Sequence, residues 1–225
     1  MQPIARRSLI GLGAASAALA LAGCGGGGDD YVPPPTRRLW VLNLNPNYPS
    51  IDVDVDGRVV AVRVPFTTLT PGIDFEYGSY SIGVRNASTG GSRLIFDGFG
   101  VDGAVPPVAV FYANGTSARL RQSPAGIVNY FDSSVALEAE LSDGVTSQRS
   151  VLRFEDSVPQ VSSSANCRLI VRRATDGVAV FDSGVRPRTD AVLIFPADAL
   201  TGLVAVVGVN GGVSTSSAVV WPNVL

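Results

Sequence analysis

The chain of 225 residues contains no histidine and no lysine; all 17 of its basic residues are arginine. It has two cysteines, one methionine and two tryptophans. Without histidine, a Ser-His-Asp triad or a Cys-His pair has no general base. Without lysine there is no Schiff base, no Ser-Lys dyad and no Walker-type phosphate loop. Structural zinc sites draw on several cysteines or histidines, and Cys24 and Cys167 do not make such a set. No cofactor and no metal is expected. Charged residues are only 16% of the chain and form no basic stripe. Neutralising phosphates needs one, so nucleic acid is not an expected partner.

What the sequence does have begins at its start. Arg6-Arg7 precede an apolar run, Leu9 to Ala22, that is too short to span a bilayer core and ends in small residues. Residues 1–23 read as a signal segment. Arg6-Arg7-Ser8-Leu9-Ile10 also resembles a twin-arginine export signal, and the choice between that route and Sec stays open. Leu21-Ala22-Gly23-Cys24 resembles the lipobox of bacterial lipoproteins. The resemblance implies that Cys24 is diacylated and becomes the first mature residue. Cys167 would then have no partner for an intrachain disulfide. Two or three acyl chains anchor a protein stably where one does not. Gly25 in the place of a retention Asp implies the outer membrane, on either its periplasmic or its surface side. Residues 24–37 form a Gly/Pro-rich tether, flexible at Gly25–Gly28 and stiffened at Pro33-Pro34-Pro35, with a reach of at most about 45 Å. Removing residues 1–23 leaves 15 arginines against 19 acids, a net charge of −4.

The remainder reads as strands. Leu39–Leu44, Ile51–Val55, Arg58–Val64, Ser79–Arg85, Arg93–Phe96 and Val108–Ala113 are short, rich in β-branched and aromatic residues, and bounded by turn formers. Asp56-Gly57 and Asn114-Gly115 are two-residue hairpin signals, because a type I′ turn needs positive φ at both central residues. An internal repeat runs through the chain. Leu42-Asn43 returns as Val128-Asn129, and Ile51–Val55 as Leu137–Leu141, both 86 residues later. Val84-Arg85 returns as Val171-Arg172, and Phe96-Asp97 as Phe181-Asp182. Val108-Ala109-Val110 returns as Val204-Ala205-Val206, which implies an insertion around Arg186–Thr201. The repeat makes residues 135–141 a strand with Glu138 and Glu140 facing water, although their helix propensity is fair.

The fold class expected is all-β: two tandem immunoglobulin-like antiparallel β-sandwiches, over residues 38–122 and 123–225. Val41, Val53, Ile82, Val84 and Val110 should close the first core, and Val128, Leu137, Leu169, Val171 and Val206 the second. The order Leu42-Asn43, Asp52-Val53-Asp54-Val55-Asp56-Gly57, Gly78-Ser79-Tyr80-Ser81-Ile82 resembles the family called domain of unknown function 4397, best over Arg38–Arg121. That resemblance implies an extracytoplasmic address and this fold, and carries no activity.

Four groups of residues are candidates for chemistry. Asp52, Asp54, Asp56 and Gly57 match the opening of an EF-hand loop, but position twelve is Arg63 where a bidentate Glu belongs, so a polar strand face is expected. Glu138 and Glu140 have a spacing that glycoside hydrolysis can use, as does any acidic alternating strand. Cys167 alternates with Leu169 and Val171 and should point inward as an inert thiol; an exposed, cross-linking thiol is the alternative. Trp40, Tyr48 and Tyr112 would stack on sugar rings if exposed; for Trp40 packing at a sandwich edge or between the domains is the expected reading. The expectation is a non-enzymatic envelope lipoprotein serving interaction, adhesion or scaffolding, with an envelope protein or glycan as partner. Small-ligand or glycan binding is the alternative, and a carboxylate-based hydrolase a third reading.

Overall fold

The first module opens with β1 (Thr36–Leu44), followed by β2 (Ser50–Val55), β3 (Arg58–Pro65), β4 (Ile73–Glu76), β5 (Gly78–Asn86), β6 (Leu94–Val101), β7 (Val108–Asn114) and β8 (Ser117–Gln122). The second contains β9 (Gly126–Asn129), β10 (Leu137–Ser142), β11 (Ser147–Leu152), β12 (Ser157–Val158), β13 (Asn166–Arg173), β14 (Ala179–Pro187), β15 (Ala191–Pro196), β16 (Val204–Asn210) and β17 (Ser217–Trp221). The structure is a computed structural model and describes residues 34–102, 108–131, 134–160, 164–197, 202–210 and 217–225. The described residues are all-β, a tandem β-sandwich. Each module has one outer sheet, β3-β2-β5-β6 or β11-β10-β13-β14, and one inner sheet, β4-β1-β7-β8 or β12-β9-β15-β16-β17. Pairing is antiparallel except for one parallel pair in each inner sheet, β1 with β7 and β9 with β15.

Three apolar layers separate the four sheets. The outer strands alternate, β2 and β10 burying every second residue, because one face meets a core and the other meets water. The inner strands are near-continuous apolar runs buried on both faces. In β1, Leu39 and Val41 face the first sandwich core, while Trp40, Leu42 and Leu44 face a layer between the modules. In β15, Val192 and Ile194 face the second sandwich core, while Leu193 and Phe195 face the shared layer. All ten residues expected in the cores are buried. Val110 and Val128, however, close the layer between the modules and not a sandwich interior. Residues 34–225 accordingly form one compact unit.

The turns follow local chemistry. Asp56 and Gly57 both have positive φ, 49° and 79°, as the hairpin signal requires. At the other hairpin Asn114 pairs with Ser117, so Gly115-Thr116 and not Asn114-Gly115 form the turn centre. Only Gly115 there has positive φ.

A buried asparagine organises each module. The Asn43 amide donates to the carbonyls of Tyr48 (3.0 Å) and Val64 (3.3 Å) and accepts from the Asn45 N–H (3.2 Å). The Asn129 amide donates to the Leu152 carbonyl (3.1 Å) and accepts from the Phe131 N–H (2.8 Å). Thr67 and Glu155 donate their N–H groups to the Asn43 and Asn129 carbonyls, both at 2.7 Å. Both are non-glycine residues at positive φ, 63° and 64°. The repeat is thus preserved even in a strained turn.

Strand pairing corrects the last part of the repeat. Leu42 is paired with Val110, and Val128 with Leu193. The counterpart of β7 is therefore β15, which lies inside the stretch expected to be an insertion. The counterpart of β8 is β16, and β17 is an additional strand. Val84 is paired with Leu94 and Val171 with Phe181, so Leu94 and not Phe96 is the register equivalent of Phe181.

Strand direction gives the unit two ends. β1 starts at Thr36 and runs parallel to β7. The Ser123 N–H at the end of β8 bonds to the Val108 carbonyl (2.8 Å), and β9 starts three residues later. β9 then runs toward Tyr130, whose ring lies 4.5 Å from that of Tyr112 at the end of β7. Thus β1, β7, β9 and β15 all run the same way. The turns at residues 45–49, 66–68, 153–156 and 174–178, together with Tyr130-Phe131 and Gly202-Leu203, lie at the end opposite to Thr36.

Candidate functional site

The lipobox residues Leu21, Ala22, Gly23 and Cys24 lie outside the described residues. The other sequence candidates can be placed. Trp40 and Tyr112 are buried in the layer between the modules. Tyr48 is half-buried, its ring edge-on to Phe111 at 5.0 Å. Burial counts against a stacking platform for sugars made from these rings: they supply apolar area to the cores. Cys167 is buried among the residues of the second sandwich core, and burial pushes its thiol up, which leaves it unreactive and out of reach of a second molecule.

Asp52, Asp54 and Asp56 each have a structural partner. Asp52 accepts the Arg63 N–H (2.9 Å) and pairs with Arg85 (3.1 Å). Arg63, at φ 51°, belongs to a bulge in β3, and Asp52 holds that bulge in place. Those bonds, led by the Arg63 N–H, keep the Asp52 carboxyl below the usual range. Asp54 forks with the Arg93 guanidinium and accepts the Gly57 N–H (3.2 Å). Asp56 accepts the Ser81 N–H (2.8 Å). Gly83 lies beneath the Asp54–Arg93 fork, where a Cβ would collide with both side chains. Asp52, Asp54, Arg85 and Arg93 border a shallow depression of about 310 Å³, already neutralised by its own ion pairs. Among the described residues no three acids, cysteines or histidines converge on a metal position.

The equivalent face of the second module repeats the arrangement with different residues. Glu140 accepts from Arg172 (2.6 Å), Ser147 (3.0 Å) and Arg149 (3.0 Å), and Glu138 lies 3.5 Å from Arg149. Arg172 foremost holds the Glu140 carboxyl below its ordinary value. A general acid needs the opposite shift, so this pair is poorly suited to protonating a glycosidic oxygen. The lowered value has a consequence for stability. Glu140 stabilises the fold fully above its unfolded value, about pH 4.3, and loses that contribution as the pH falls through its lower folded value. Glu140→Gln should therefore be less stable than the parent at pH 7, with the gap narrowing below about pH 4. Urea midpoints at neutral and acid pH measure this; a gap independent of pH would contradict the assignment.

The junction between the modules carries a polar clasp that the sequence did not reveal. Tyr112 Oη donates to Glu155 Oε1 (2.6 Å), and Arg121 donates to the Glu155 carbonyl (2.9 Å) with its carboxylate 3.8 Å away. Burial first, then the Glu155 bond, pushes the Tyr112 hydroxyl far above its ordinary value. Burial pushes Tyr130 up to about 12. These phenols stay neutral and serve the joint. Positive φ at Glu155 aims its carboxylate at the first module, and a motif search cannot see such a feature.

The loop end of the second module holds a cavity of about 360 Å³, bordered by Phe131, Val135, Leu137, Val180, Leu203 and Arg173. The first module has different residues there. Asn129 and Asn43 fix Phe131 and Asn45 as equivalents, and Leu137 and Ile51 pair with Arg173 and Asn86. Asn86 instead caps its own loop, accepting from the Ser88 and Thr89 N–H groups (3.0 and 3.2 Å). The cavity residues come from separate segments, so no local pattern announces them. The chain matches no protein-family model and no curated protein.

Proposed function

We propose that this protein is a lipid-anchored, non-enzymatic binding module of the bacterial envelope, held by Cys24 and presenting the loop end of its sandwiches to a partner. The polarity of the strands carries the reading. The chain enters the folded unit at Thr36, and the turns with the cavity lie at the other end. A tether attached at one end leaves the opposite loops free to meet a ligand or protein, which is where sandwich domains commonly bind. The pairing of Asp54 and Glu140 with arginines and the burial of Trp40 and Tyr112 favour this reading over a hydrolase or a glycan platform. Kinship with the domain of unknown function 4397 is part of the same proposal and rests on the Asn43 and Asp-Gly pattern. Cys24→Ala should move the protein from the membrane to the soluble fraction of the envelope. Unchanged sedimentation with membranes in that variant would overturn the anchor.

A further inference from the structure

We propose that the free edge of β8 in the first module binds an extended segment of a partner protein as an added antiparallel strand, with an aliphatic residue opposite Leu120 and an acid opposite Arg119. This surface is separate from the loop end and does not depend on the anchor at Cys24.

The second module shows what such an edge takes. There β16 is covered by β17, and Trp221, paired with Val206, is buried in the second sandwich core. The chain then crosses to the outer sheet. The Asn223 amide donates to the Val180 carbonyl (3.3 Å) and the Val224 N–H to the Asp182 carbonyl (3.1 Å), both on β14. One segment thus closes the side of that sandwich where β14 and β16 would otherwise end as edges. The first module has the equivalent edges, β6 and β8, and among the described residues no strand pairs with the outer side of either. An edge strand presents unpaired N–H and C=O groups, which an incoming strand satisfies.

Strand pairing gives the chemistry of the occupant. Val110 and Leu193 are equivalents, so Leu120 takes the place of Val206, Arg119 that of Ala205 and Gln122 that of Gly208. Leu120 packs against the first sandwich core. With Phe96, Phe99 and Gln122 it borders a depression of about 190 Å³ between β6 and β8, on the side that Trp221 closes in the second module. A Cβ at Gly208 would come within 2.9 Å of the Trp221 indole nitrogen, so that ring needs a glycine beneath it. Gln122 removes this room, and the depression suits an aliphatic side chain and not an indole. Arg119 is exposed and makes no ion pair among the described residues. An acid directly opposite is the cross-strand neighbour that stabilises such a pair. The arginines of β8 also exclude a second copy of this edge. Two β8 strands paired antiparallel with their core faces aligned set arginine opposite arginine, which is destabilising.

The test is photolabelling of the full chain in isolated membranes with acetyl-Ser-Thr-Val-Thr-Leu-Glu-Val-Thr-amide, its leucine replaced by photoleucine, followed by peptide mapping and competition by unlabelled peptides. Adducts should map to Phe96–Gly100 and Leu120–Gln122. Alanine in place of the leucine should weaken competition about tenfold. N-methylation of alternate backbone amides should weaken it about as much, because the added strand then loses its ladder. Arginine in place of the glutamate should weaken it about fivefold. Arg119→Glu, an exposed change outside the cores, should reverse that preference, so that the arginine peptide competes about fivefold better than the glutamate peptide. Arg119→Ala should make the two peptides equal. Adducts on β16 and β17, equal competition by a scrambled peptide, no effect of N-methylation, or an unreversed preference in Arg119→Glu would each overturn the proposal.

Discussion

Asn43→Ala should lower the free energy of unfolding by about 1–3 kcal/mol, because the variant leaves the buried Asn45 N–H without its partner and takes a donor from the Val64 carbonyl. The side chain is fully buried, so water cannot take its place without opening the turn. Strained Thr67, whose N–H bonds to the Asn43 carbonyl, depends on the same arrangement. Equilibrium urea unfolding measures the loss. A change below about 1 kcal/mol would mean that the turn relaxes to satisfy its own groups, and that Asn43 is not its organiser.

Phe195→Ala should cost about 3–5 kcal/mol and unfold both modules together. Phe195 is fully buried in the layer between the inner sheets and meets Phe66 of the first module edge-on, with ring centroids 5.7 Å apart. Removing it opens a cavity in a core that neither module can close by itself. Hydrogen exchange separates this from an ordinary local effect. Amides of Val53 in β2 and of Ala139 in β10, in opposite outer sheets, should lose protection to the same degree. Loss at Ala139 with full protection at Val53 would show that the modules fold independently and that the shared layer is only a contact. The Tyr112–Glu155–Arg121 clasp adds direction to this joint, since hydrogen bonds fix a register that apolar contact leaves free.

The outer faces explain why the stack of sheets ends where it does. Asp54 with Arg93, and Glu140 with Arg149 and Arg172, place paired charge on the two outer faces, beside exposed Val59, Ile95, Val151 and Val185. A further sheet laid on either face would have to desolvate those pairs. The acids that looked like candidates for metal binding or hydrolysis thus mark the faces that stay in water.

Much of the fold was legible locally. Alternation in Ile51–Val55 and Leu137–Leu141 identified half-buried strands, and the recurrence of Asn43 as Asn129 identified the repeat. Asp56-Gly57 identified a turn because positive φ is a property of two residues and their neighbours. The candidate site was less legible. The sequence favours packing over exposure for Trp40 but leaves its place and that of Tyr112 open, because the pattern of an inner strand says that both faces are apolar and does not say what covers the second one. β15 was missed because Ala191–Pro196 is an apolar run like its neighbours, and only its parallel pairing with β9 identifies it as the counterpart of β7.

The sequence by itself determined the strand content, the main hairpin turn, the recurrence of Asn43 as Asn129 and the absence of histidine and lysine. These depend on side-chain period, local φ preference and composition, which act over a few residues. Tertiary structure alone decided that the two sandwiches share a third core, that Glu155 clasps Tyr112, and that Phe131, Leu203 and Arg173 border one cavity. Those outcomes depend on which face of a doubly buried strand meets which sheet. Pairing between segments far apart in the chain settles that choice, and no local preference encodes it.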